Sequence, residues 1–238
     1  MATSPFLKAE WRKLAIANYA IDSTVLQRYL PHKTELDTWN GQCYVSLVGF
    51  MFLNTKLKGF AIPFHQHFEE VNLRFYVRYK HQNEWKRGVT FIKEIVPRHA
   101  LTFVANNIYK EKYVTLPMQH SWISRDNILE VEYKWKKGDW NSFRVLAGSA
   151  AKPLLENSKT EFITEHYWGY VQRGPQKTSE YQVEHPRWSI YDVLDHKINV
   201  DFGKVYGDEF KWLGENNPES VMLAEGSEIV VRGATILK

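Results

Sequence analysis

Residues 68–77 read FEEVNLRFYV, and the alternation within them decides the fold. Glu70, Asn72, Arg74 and Tyr76 fall on one face, and Val71, Leu73, Phe75 and Val77 on the other. Period two over so many residues is that of a strand, because successive Cβ atoms point to opposite faces. A strand face in contact with water runs mainly to Thr, Lys and Glu. This one mixes a carboxylate, an amide, a guanidinium and a phenol, and aromatics flank it. It reads either as a solvated face, as most alternating strands do, or as a pocket wall, since small-molecule sites set a few polar groups in apolar surroundings. Same-face neighbours on a strand lie about 7 Å apart, so Asn72 is placed to bridge Glu70 and Arg74.

Working outward, HQNE at 81–84 is a turn and WKRGVTFIKEIV at 85–96 the hairpin partner. Upstream, a long strand runs from Gln42 through YVSLVGFMFL, and LAIANYAI at 14–21 is another. Residues 4–14 read as a short helix, with Phe6, Leu7, Trp11 and Leu14 sharing a face. Asp22 is an N-cap for a helix over VLQRYL that Pro31 stops, and residues 54–67 form a loop. Pro97 opens a helix over 97–109. Downstream, 113–124, 127–137 and 139–148 form a three-strand meander. Residues 161–172, 178–186 and 187–198 continue it as strands, and 201–217 is loop or short helix. SVMLA and SEIVVRGATIL close the chain as two short strands around Glu225 and Gly226. With hairpins throughout and few helices, this predicts one α+β domain over 1–238, mainly antiparallel β and barrel-like.

The 9 Trp, 13 Tyr and 13 Phe suit such a sheet with wide core side chains. A net charge of +4 with interspersed signs argues against nucleic acid as a partner. The longest nearly apolar run, 44–53, is about half a bilayer span, so no membrane is expected. The N-terminal residues lack the apolar core of a signal peptide, and Cys43 is the single cysteine. These features point to a cytoplasmic, reduced protein. Cys43 lies in an apolar run, where a buried inert thiol is expected.

Catalytic signatures are sparse. No GxGxxG, Walker or kinase loop is present, and no cofactor is expected. Ser149 lacks a GxSxG frame. His65 and His67, with Glu69 or Glu70 beside them, form a weak metal candidate. Gly59 has cupin-like spacing to His65, but the glutamate falls one residue early and the second cupin motif is missing. His120, His166 and His185 read as structural singletons. In an extended YKEKY (109–113), Lys110 and Lys112 share a face, and two adjacent ammonium groups lower each other's pKa. Such an amine attacks carbonyls, which nominates both lysines as catalytic candidates beside the plainer reading of solvated lysines at a helix-to-strand junction.

The order of motifs resembles the YqjF-like family, bacterial proteins carrying a domain of unknown function and grouped with the acetoacetate decarboxylase fold. The matching stretches are NYAIDSTVLQRYLP, ELDTWNGQCYVSLVGFMF, FHQHFEEVNLRFYV, GVTFIKEIVPRHALTFVANNIYKEKYVTLPM, TEHYWGYV, VEHPRWSI and SVMLAEGSEIVV. The E-V-N-x-R-x-Y-V core with the downstream G-V-x-F is the most specific element. The resemblance implies a β-barrel or cone with a few peripheral helices and an interior cavity, with Glu70 matching a cavity glutamate. The decarboxylases use a Schiff-base lysine in a G-x-P-K-K setting. Here the matching loop reads NNIYKEKY, without that glycine and proline and with Glu111 between the lysines. Two functions follow as expectations. One is binding of a small, carboxylate-bearing molecule by Glu70, Asn72, Arg74 and Tyr76. The other is a decarboxylase- or lyase-like reaction on a keto acid through Lys110 or Lys112.

Overall fold

The computed structural model describes residues 4–99, 102, 106 and 112–237. Its centre is a hairpin of β5 (Phe68–His81) and β6 (Glu84–Val96), joined by the turn expected at Gln82. On its other edge β5 pairs with β3 (Cys43–Leu57), which pairs with β1 (Pro5–Ile21). Short β2 (Glu35–Leu36) and β4 (Phe60–Ala61) pair with β5 and β3, so part of the expected 54–67 loop is a small hairpin. The Asp22 cap forms as expected: its carboxylate accepts from the Thr24 backbone N–H and starts α1 (Ser23–Gln27).

After the hairpin come β7 (Tyr113–Thr115) and β8 (Met118–Arg125), then β9 (Ile128–Lys137) and β10 (Asp139–Lys152). Beyond these lie α2 (Lys159–Thr164), β11 (Trp168–Gly174), β12 (Lys177–Glu184), β13 (Ile190–Asn199) and α3 (Phe202–Tyr206). A 3-10 helix, Asp208–Gly214, leads to β14 (Ser220–Arg232) and β15 (Thr235–Leu237). One sheet results, in the order β15-β12-β11-β6-β5-β3-β1-β14-β13-β10-β9-β8. Its pairs are antiparallel except β6 with β7 and β6 with β11. β12 also pairs with β14 through Val183 and Glu184, which links the two arms of the path.

Both faces of β5 are buried. Val71, Leu73, Phe75 and Val77 are fully enclosed in a core that includes Tyr133, Trp135 and Phe143 of β9 and β10. Glu70, Asn72, Arg74 and Tyr76 turn to the opposite side, toward a second core with Phe50, Phe52, Phe68 and Trp188. Among the described residues, no helix is long and apolar enough to cross a membrane.

Four local expectations are corrected. Residues 4–14 are not a helix but the first half of β1. Lys13 sits at φ 54° and the register to β3 shifts between Arg12 and Ala15. That bulge returns Trp11 and Leu14 to one face, which imitates helical spacing. Residues 161–164 are helix rather than strand, because Ser158 Oγ accepts from the Glu161 N–H as an N-cap. The 113–124 segment breaks before Pro117 into β7 and β8. The break expected at 225–226 falls instead at 233–234, before β15: β14 runs on through Gly226, which sits at φ 82° opposite Arg12. A Cβ there would meet the Trp11 carbonyl oxygen at 1.9 Å. Most of the helix expected over 97–109 lies outside the described residues.

Candidate functional site

The inward side of β5 borders a cavity of about 200 Å³. Its walls are mostly apolar and rich in aromatics, among them Trp11 and Phe50 from β1 and β3, Phe91 from β6, Trp168 from β11, and Trp188 before β13. Trp11 meets Phe50 and Trp188 edge-on, with ring centroids 5.3 and 6.3 Å apart. Glu70, Asn72 and Arg74 supply the polar patch, as β5 alternation places them.

Glu70 is 2% exposed. Its Oε1 accepts from Asn72 Nδ2 at 2.9 Å, and its Oε2 from the Tyr113 hydroxyl at 2.9 Å. Tyr113 reaches it because β7 lies alongside β6, pairing Tyr113 with Glu94. Asn106 holds the Tyr113 backbone through both its N–H and its carbonyl, at 2.9 Å each. Burial pushes the Glu70 carboxyl up to about 7, against the two hydrogen bonds and the Arg74 charge, which pull it down. Near neutral pH the group is therefore poised to hold or release a proton.

Arg74 is 8% exposed and faces the same cavity. Its Nε has no hydrogen-bond partner, and no carboxylate pairs with its guanidinium, among the described residues. Its Cζ lies 5.9 Å from the Tyr76 ring centroid. Tyr76, expected in the pocket, is not among the described residues that line the cavity and stands behind the patch, its hydroxyl taken up by Ser46. Its hydroxyl hydrogen-bonds Ser46 Oγ at 2.7 Å, and Ser46 donates to Asn18 Oδ1 at 2.6 Å. A buried guanidinium with so few protein partners can attract an anion, and its planar fork matches the geometry of a carboxylate or phosphate.

The other expected site residues are placed as follows. Lys110 lies outside the described residues. Lys112 is exposed, with its Nζ 5.0 Å from the Tyr29 ring centroid, and it is not among the described residues that line the cavity. His65 reaches the cavity rim, and its Nδ1 hydrogen-bonds the Pro63 carbonyl at 2.8 Å. His67 Nδ1 accepts from the Asn54 N–H at 3.3 Å. Among the described residues, no group of three or more His, Cys, Asp or Glu is arranged to hold a metal ion. Cys43 is buried, which raises its thiol pKa.

Residues that sequence reasoning missed complete the polar end. Glu94 is 2% exposed and sits opposite Asn72 in the β5–β6 register. Thr164, the last residue of α2, and His166, between α2 and β11, also line the cavity. Glu94 carries a readable signal, since it follows G-V-x-F on the hairpin partner at a position paired with the β5 polar face. His166 carries none, because its partners are distant in the chain.

The curated relative "Uncharacterized protein YqjF" of Bacillus subtilis (strain 168) is 36% identical over 163 residues, 68% of this chain and 63% of that protein. The chain thus matches less than two thirds of the length of that relative. Among solved structures, acetoacetate decarboxylase from Legionella pneumophila is similar with a TM-score of 0.65 at 12% identity, covering 99% of this chain and 88% of that one. The enduracididine biosynthesis enzyme MppR with HEPES bound is similar with a TM-score of 0.67 at 10% identity, covering 100% and 89%. An acetoacetate decarboxylase-like enzyme from Sphingomonas wittichii RW1 gives 0.63 at 10%, covering 99% and 94%. At such identities these likenesses establish the fold. The model of the DUF2071 family, described as "Uncharacterized conserved protein (COG2071)", matches residues 8–228, and the chain belongs to that family.

Proposed function

We propose that this protein binds a small carboxylate-bearing molecule in the cavity beside β5, with Arg74 taking the carboxylate and the aromatic walls covering an apolar body. The observation that carries this reading is the Arg74 guanidinium, buried against the cavity with no hydrogen-bond or ion-pair partner among the described residues. Leaving a cation buried and unpaired is costly, and a bound anion removes that penalty. The β12–β14 pairing supports a barrel-like wall around the cavity. The reading retains a cytoplasmic setting, with neither membrane nor nucleic acid as partner. Glu70, with its carboxyl near neutrality, adds a group able to exchange a proton with the ligand.

Thermal-shift and calorimetric titrations with matched pairs, such as 3-phenylpropanoate and 3-phenylpropanamide, test this reading. Carboxylates are expected to bind and stabilise the chain, and the amides are expected not to. Arg74→Met should abolish the difference. Equal behaviour of acid and amide, or a preference that survives Arg74→Met, would sink the reading. Borohydride trapping with keto acids, read by mass spectrometry, distinguishes the lysine-dependent alternative: an adduct on Lys110 or Lys112 would favour it.

A further inference from the structure

A second buried polar group faces the cavity, and its chemistry narrows what the cavity takes. His166 is 7% exposed and borders the same cavity as Arg74. Its ring lies tilted against Tyr76 at a centroid distance of 4.7 Å and meets Phe162 edge-on at 5.2 Å. Its Nε2 is 3.1 Å from Asp37 Oδ2, an oxygen that also accepts from Arg87 Nε at 2.6 Å. Asp37 is 5% exposed, and its pKa is held down by His166 and Arg87 against the effect of burial. An ionised carboxylate only accepts, so the ring proton must sit on Nε2. The other nitrogen, Nδ1, is then a lone-pair acceptor. It is buried without a hydrogen-bond partner among the described residues.

The backbone keeps this ring in place. α2 ends at Thr164, the Glu165 N–H bonds to the Glu161 carbonyl, and the Tyr167 N–H bonds to the Arg87 carbonyl at 3.2 Å. Burial, with Arg87 and Arg74 nearby, lowers the His166 pKa to about 4 despite Asp37, so the ring stays neutral at physiological pH. Arg74 Cζ and the His166 ring both lie near the Tyr76 ring, at 5.9 and 4.7 Å from its centroid. A donor and an acceptor thus stand within the span of one small molecule.

From this geometry we propose that His166 Nδ1 accepts a hydrogen bond from the ligand, whose class is a carboxylate that also carries a hydroxyl or amino group. The inference rests on the anion-binding role of Arg74 and adds the ligand's second functional group. His166 acts here as a binding residue, with Asp37 as the positioning residue that fixes its tautomer.

The test uses the full chain labelled with 15N-histidine and matched acids of differing bodies: lactate and propanoate, 2-hydroxyhexanoate and hexanoate, 3-phenyllactate and 3-phenylpropanoate. Long-range 1H–15N spectra, assigned by the loss of one ring in His166→Phe, should show the free protein with the proton on Nε2. A hydroxy acid should move the Nδ1 resonance while its deoxy partner leaves it in place. Calorimetry should show the hydroxy acid binding roughly tenfold more tightly, the worth of one buried hydrogen bond. That preference should vanish in His166→Phe. A proton found on Nδ1, or a hydroxy acid that binds through Arg74 without moving Nδ1, overturns this inference and leaves the anion site standing. Failure of both members of every pair to bind overturns the anion site and this inference together.

Discussion

Replacing Glu70 by glutamine removes the charge while keeping the shape, and the consequence should depend on pH. The folded-state carboxyl titrates at about 7, against an ordinary value of 4.5. Between those values the folded chain holds a proton that the unfolded chain has released. Unfolding free energy therefore falls as pH rises through this window. The contribution is neutral to stability below the unfolded value and becomes a penalty that is complete above about 7. A gap of this size corresponds to roughly 3 kcal/mol once the folded-state group is fully ionised. A glutamine in its place carries no such penalty, and its amide still meets Asn72 and the Tyr113 hydroxyl. Urea denaturation of the native chain and Glu70→Gln at pH 5, 6, 7 and 8 measures the difference directly. The variant should gain on the native chain from pH 5 to 8 by about 2–3 kcal/mol in all, most of it below pH 7. A difference that stays constant over that range would refute the claim that burial dominates the environment of Glu70.

The remaining perturbations probe the supports of the site. Tyr113→Phe deletes a donor to Glu70 Oε2, so the Glu70 titration followed by carboxyl 13C NMR should move up by roughly one unit. An unmoved midpoint would contradict that hydrogen bond. Asp37→Ala strands Arg87 and strips His166 of its partner, and should lower stability by about 3 kcal/mol in urea denaturation. A loss within measurement error would show that the pair does not hold the α2–β11 segment. Gly226→Ala forces a Cβ toward the Trp11 carbonyl at a backbone φ of 82°, and should lower stability by about 2 kcal/mol or more. A neutral substitution there would mean that the backbone around Gly226 relaxes freely.

Much of the fold was readable because strand periodicity is local. The β5–β6 hairpin, the long β3 and the β9–β10 pair all announce themselves by alternation and a turn signal. The inward orientation of Glu70, Asn72 and Arg74 was readable from their mixed chemistry. Where the reading failed, a local rule met a non-local cause. The bulge at Lys13 disguised half of β1 as a helix, since moving one residue between faces converts a spacing of two into three. The parallel pairings of β6 with β7 and β11 are set by chain paths that no hairpin signal encodes. The segment 161–164 is helical because Ser158 caps it, a cue that strand-forming neighbours outweighed. His166 looked like an isolated histidine because its partner Asp37 lies 129 residues away. Sequence reading found the half of the polar patch carried by one strand and missed the half assembled by topology.

The central claim is that Arg74 is the anchor for an anion, and a crystal structure of the protein with 3-phenylpropanoate tests it most directly. The account predicts both carboxylate oxygens about 2.7–2.9 Å from guanidinium nitrogens of Arg74, with the phenyl ring against the aromatic wall. A carboxylate bound elsewhere, or Arg74 turned away to pair with a protein carboxylate while the ligand occupies the cavity, would contradict it.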